Sequence, residues 1–175
     1  MGRLIRVALL AVGLVAAWPL LGPPTRALRL VAQRPPQLLA VPVDGVGRAA
    51  LRDSWHAPRS DGRRHEGIDI FARRGTVVRA SVPGIVWRAG QNRLGGNVVW
   101  VLGPGWQLHY YAHLDELADV APGALVAAGD PLGTVGTTGN ARGGPPHLHY
   151  GIYTARGAVN PFLRLTHPWT AAPSA

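Results

Sequence analysis

The chain has 175 residues with a formal charge of +9, built from 18 arginines and nine acids with no lysine and no cysteine. That length holds one ordinary domain and a short appendage. The missing thiols exclude a disulfide scaffold, a thiolate zinc finger, an iron–sulfur protein and a cysteine nucleophile.

Arg3 and Arg6 precede an apolar run over residues 7–21. A positive flank before such a run has the form of a secretory signal or, with Leu4 and Ile5 included, of a membrane anchor. The expectation is an apolar N-terminal helix (residues 1–22), with the rest of the chain outside the cytoplasm. That means the periplasm, either exported or anchored to the inner membrane. Residues 23–50 contain five prolines and read as a Pro-rich linker or arm, in which 37–43 could add an edge strand. Residues 51–165 form the folded domain and 166–175 a tail.

Within the domain, short runs with β character fall at 67–71, 76–80, 84–88, 97–102, 107–112, 132–135 and 147–153. Glycine, proline and asparagine punctuate them, and one helical turn opens at Asn160-Pro161. The fold class expected is all-β, a mainly antiparallel sheet or sandwich with an open groove and very little helix. Charge adds little. Residues 1–50 hold six arginines and one acid, and residues 51–175 hold twelve and eight. No basic run with interleaved aromatics marks a nucleic-acid groove, so no nucleic-acid partner is expected.

The histidines carry the chemical signal. In Pro146-His147-Leu148-His149-Tyr150 a strand places both imidazoles on one face and Leu148 on the other. Such a pair suits metal ligation or acid–base work. His65 and Asp69 are four residues apart in His65-Glu66-Gly67-Ile68-Asp69, and Gly67 permits a bend that brings both to one ion. Two histidines and an aspartate leave a fourth tetrahedral position for water, the pattern of a catalytic rather than a structural zinc site. His113 lies in a further aromatic-rich strand. Glu66, beside His65 on a strand, faces away. His109 reads as a wet-strand residue, His56 as a groove-rim residue at most, and His167 as exposed. Arg59, Asn97, Tyr110 and Tyr111 are candidate substrate contacts without a discriminating pattern, and Trp55, Trp87, Trp100 and Trp106 read as packing aromatics.

The segments His65-Glu66-Gly67-Ile68-Asp69, Tyr110-Tyr111-Ala112-His113-Leu114 and 136–152 resemble, in order and spacing, the motifs of the lysostaphin/LytM-type zinc metallopeptidases. The resemblance covers roughly residues 42–165. It implies a zinc-dependent endopeptidase acting on peptidoglycan stem or cross-link peptides. It makes His65, Asp69 and His149 the ligands of Zn2+. It makes His147 a catalytic residue beside the ion and gives His113 the same kind of role. Some relatives have lost ligands and activate a cell-wall amidase instead, which is the alternative function; all five positions are filled here. The protein is expected to be a monomer.

Overall fold

A computed structural model describes residues 22–59 and 62–167. The apolar run of residues 7–21 lies outside the described residues, as do 168–175 of the expected tail. Among the described residues, no helix is long and apolar enough to cross a membrane.

Among the described residues, nine strands form one antiparallel sheet. They are β1 (Ile68–Phe71), β2 (Val77–Arg79), β3 (Gly84–Asn92), β4 (Gly96–Gly103), β5 (Gln107–Leu117), β6 (Leu125–Val126), β7 (Pro131–Val135), β8 (His147–Thr154) and β9 (Gly157–Val159). The main order is β1-β8-β5-β4-β3-β6, with β7 beside the far end of β5 and carrying β2. All seven expected strands are present. The two strands not expected, β6 and β9, have two and three residues, too few to show a period.

Alternation divides the sheet into two chemically different faces. Ile68, Ile70, Val99, Val101, Tyr111, Leu148, Tyr150 and Ile152 point into the main core, which Val78, Leu114, Leu132 and Val135 complete. Asp69, Trp100, Tyr110, Ala112, His147, His149 and Tyr153 point the other way. There Trp100, Tyr110 and Tyr153 pack on Val98 and Ala112 as a smaller cluster.

Residues 23–50 are not the loose arm expected. Gly22–Val31 form helix α1, with Pro23 and Pro24 in its first turn. There the missing N–H groups have no intrahelical partner to lose. Beyond α1, Leu39 and Val43 are 1% and 2% exposed and belong to the main core. The edge strand expected over 37–43 reduces to a single bridge, Val43 to Val78. Helix α1 packs on β3, β4 and the 3-10 turn Pro104–Trp106. A second helix, α2 (Pro161–Thr166), starts where the sequence indicates, with Asn160 Oδ1 accepting from Phe162 N–H at 2.9 Å.

Candidate metal centre

The site is assembled from strands β1, β5 and β8 and from the segment before β1. In the β1–β8 ladder Asp69 is paired with His149 and Phe71 with His147. The ladder therefore sets a carboxylate beside an imidazole on the polar face. His65 reaches them because the chain turns tightly at Gly67 against β8. A Cβ there would sit 2.6 Å from the Tyr150 carbonyl oxygen and 2.7 Å from His149 Cε1. Glycine is needed for this close approach and not for a left-handed backbone, since Gly67 has none.

His113 arrives by a different device. Plain alternation from Tyr111 would send it into the core. Its backbone is left-handed at φ 64°, and the ladders shift register on both sides, between Asn97 and Val99 and between Leu114 and Leu117. Such a bulge re-aims a side chain, and His113 joins the polar face. His113 and His147 meet edge to face with ring centroids 5.0 Å apart.

His65 Nε2, Asp69 Oδ1 and His149 Nδ1 converge within 4.8 Å of one another. His65 Nε2 is 2.8 Å from His149 Nδ1 and 3.1 Å from Asp69 Oδ1, and His149 Nδ1 is 3.2 Å from the same oxygen. His65 Nδ1 donates to the Ser54 carbonyl at 2.7 Å, which leaves Nε2 as a bare lone pair. Three electron-pair donors thus share at most one proton. A divalent cation satisfies all three, so the donor set fits zinc with a position to spare.

The surroundings hold this set rigid. Arg59 Nη2 donates to Asp69 Oδ2 at 2.7 Å, reserving Oδ1 for the imidazoles. Burial pushes the Asp69 carboxyl up, but its contacts with His149, His65 and Arg59 outweigh it and hold the group far below the usual carboxylate range. Burial likewise lowers His149. His113 Nδ1 donates to the Thr138 carbonyl and His147 Nδ1 to the Pro145 carbonyl, both at 2.9 Å. Each ring therefore turns its Nε2 toward the site. Burial and the neighbouring His149 and His147 lower His113 to about 4, so it is neutral at neutral pH.

His65, His113, His147 and His149 line one groove of about 640 Å³, together with Arg59, Arg63, Arg64, Arg93, Trp100, Tyr110 and Tyr153. Trp100, expected as packing, is part of its wall. Glu66, expected to face away, lines it beside Tyr153 but outside the donor set; burial, with Glu66 adding, lifts the Tyr153 phenol to about 12. Two sequence readings are corrected. His109 is 1% exposed, with Nδ1 2.8 Å from the Tyr150 hydroxyl. Tyr111 is wholly buried, its hydroxyl accepting from Ser81 N–H at 2.9 Å. Both stand on the core face, so neither is a groove residue. Asn97 bonds the Asp115 carbonyl at 2.8 Å and braces the bulge. His56 is exposed, stacked on Trp55, and left-handed at φ 60°. The Ser54 and Arg59 supports carry no sequence signal, because they act across a loop closed only in the fold.

Comparison with known proteins settles the family. The pattern of peptidase family M23 matches residues 63–161, more than half of the chain. The chain belongs to peptidase family M23. A relative, the L-Ala--D-Glu endopeptidase of Bacillus subtilis (strain 168), is 39% identical over 116 residues, covering 62% of this chain and 36% of the relative. The chain spans about a third or less of the length of these curated relatives. Among solved structures, a putative peptidase M23 from Pseudomonas aeruginosa superposes with a TM-score of 0.61 at 29% identity, over 84% of this chain and 60% of that one. The catalytic domain of lysostaphin from Staphylococcus simulans gives 0.57 at 27%, over 65% and 91%.

Proposed function

We propose that this chain is a zinc-dependent endopeptidase that hydrolyses peptide bonds in peptidoglycan stem or cross-link peptides. The observation that carries the reading is the convergence of His65, Asp69 and His149 on one point of an open groove, with two further imidazoles aimed at it. In this reading His65, Asp69 and His149 hold the ion. When bound, zinc acidifies water and polarises the scissile carbonyl.

The chain's own residues do the rest. His113 and His147 present Nε2 to the groove from rings held at Nδ1. One accepts the proton of the attacking water as the C–O bond forms and delivers it to the amine as the C–N bond breaks. The other accepts a hydrogen bond from the hydroxyl of the tetrahedral intermediate and so orients it. Their carbonyl partners, Thr138 and Pro145, keep the rings oriented. Arg59 keeps Asp69 turned inward. Work outside the cytoplasm, with the segment over residues 7–21 directing export or anchoring, is supported by Arg3 and Arg6 before that apolar run.

The test uses the full chain, its metal content and the products from isolated peptidoglycan, read by mass spectrometry. The expected result is about one zinc per chain and release of peptides cut at one bond type. His149→Ala is expected to abolish both. Undiminished cleavage by that variant overturns the assigned site.

A further inference from the structure

The charge of the folded part is concentrated. Residues 51–175 carry twelve arginines and eight acids, a surplus of four. Four arginines (Arg59, Arg63, Arg64 and Arg93) line the groove, and Glu66 is the single carboxylate among its lining residues. With Asp69, the partner of Arg59, counted beside Glu66, the groove holds a net two positive charges before its histidines are considered.

These arginines have distinct positions. Arg59 turns inward onto Asp69. Arg63 and Arg64 sit on a short hairpin before β1, where Pro58 bridges Arg64 and Arg59 N–H donates to the Arg63 carbonyl at 3.0 Å. Arg93 sits on the β3–β4 turn, beyond the floor strands β8 and β5 in sheet order. That turn is braced to the site, since Asn92 Oδ1 accepts from Gly95 N–H at 2.6 Å and the Gly95 carbonyl accepts from His113 N–H at 2.7 Å. Arg63, Arg64 and Arg93 are all exposed. Guanidinium groups thus stand on both lips of a groove whose floor is imidazole and aromatic ring.

We infer that the groove selects peptides bearing free carboxylates, an acidic stem peptide held by Arg63 and Arg64 on one lip and Arg93 on the other. This rests on the peptidase reading above and sharpens its substrate. A guanidinium takes a carboxylate through two parallel N–H···O bonds. A crevice lined by one sign of charge also raises the local concentration of the opposite sign. A neutral glycine bridge, or a stem whose carboxyls are amidated, gains neither.

The experiment compares two cross-linked stem peptides of the same skeleton, one with free carboxyls and one with every carboxyl amidated. Cleavage by the zinc-loaded full chain is measured, together with binding of both labelled peptides by fluorescence anisotropy. The free acid should be favoured about tenfold or more in kcat/KM and in Kd, a difference on the scale of one charge-assisted pair. Raising the salt should shrink the ratio. An Arg64→Gln/Arg93→Gln double variant should bring the ratio close to one. Equal treatment of the two peptides by the unaltered chain, or a ratio unchanged in the double variant, overturns the inference. If neither peptide is cut, the peptidase reading fails, and the anisotropy ratio still decides the role of the arginines.

Discussion

Replacing Gly67 with alanine adds one methyl group at the point where the chain leans on β8. The added Cβ would lie 2.6 Å from the Tyr150 carbonyl oxygen, 2.7 Å from His149 Cε1 and 2.8 Å from His149 Nε2. Ordinary contact begins near 3.5 Å, so β1 and β8 must part by roughly 0.8 Å or the His149 ring must swing away. Gly67 has no positive φ, so alanine brings no backbone strain and the whole effect is steric. Overpacking of this kind costs about 1–3 kcal/mol. Metal sites tolerate about 0.2 Å of ligand displacement, so the donor set opens and zinc affinity should fall ten- to a hundredfold. The assay is zinc titration against a competing chelator, with urea unfolding of the metal-free chain alongside. Gly47→Ala is the control, because a Cβ at Gly47 meets nothing within 4 Å and its φ is −77°. Wild-type zinc affinity in Gly67→Ala, with stability within about 0.5 kcal/mol of wild type, refutes the reasoning.

Other outcomes follow from the same geometry. Burial, with Arg164 adding, holds His109 at about 3, below the ordinary histidine value of 6.5, so the unfolded chain takes up a proton first. Its contribution is complete above pH 6.5 and is lost as pH falls toward 3, at up to about 1.4 kcal/mol per unit. Metal-free His109→Gln should therefore show a flatter pH dependence of urea stability than the metal-free parent between pH 7 and 5, and parallel curves refute the assignment. Arg59→Gln releases Asp69 Oδ2 and should weaken zinc binding about tenfold. The Arg59 side chain is 40% exposed, so thermal unfolding should register less than about 1 kcal/mol. His56→Gly removes a left-handed non-glycine backbone and should stabilise the fold by about 0.5–1 kcal/mol; a loss of stability counts against strain at that position.

The strands were legible because most are bounded by glycine or proline and carry β-branched or aromatic runs. His147 and His149 followed from alternation alone, and the β1–β8 register bears this out. His109 was misread for a physical reason. Its face is set by strict alternation with Tyr111, whereas His113 escapes that alternation through a bulge fixed by slips in two neighbouring ladders. No local pattern announces a slip in a partner strand. Helix α1 was missed because Pro23 and Pro24 act as breakers in a helix interior but not in its first turn. The burial of Leu39 and Val43 depends on strands that come later in the chain, so the segment read as a proline-rich connector.

The seating of helix α1 sets a stand-off distance. It packs near Pro83 and the turn Pro104–Trp106, whereas the groove opens beyond the other end of β3, at Asn92 and Arg93. Nine residues of strand separate the two, about 25 Å of reach. A chain tethered by whatever precedes Gly22 would present its groove at arm's length from the tether point. A bulky fusion there should leave a long, stiff polymer free to thread past the arginines.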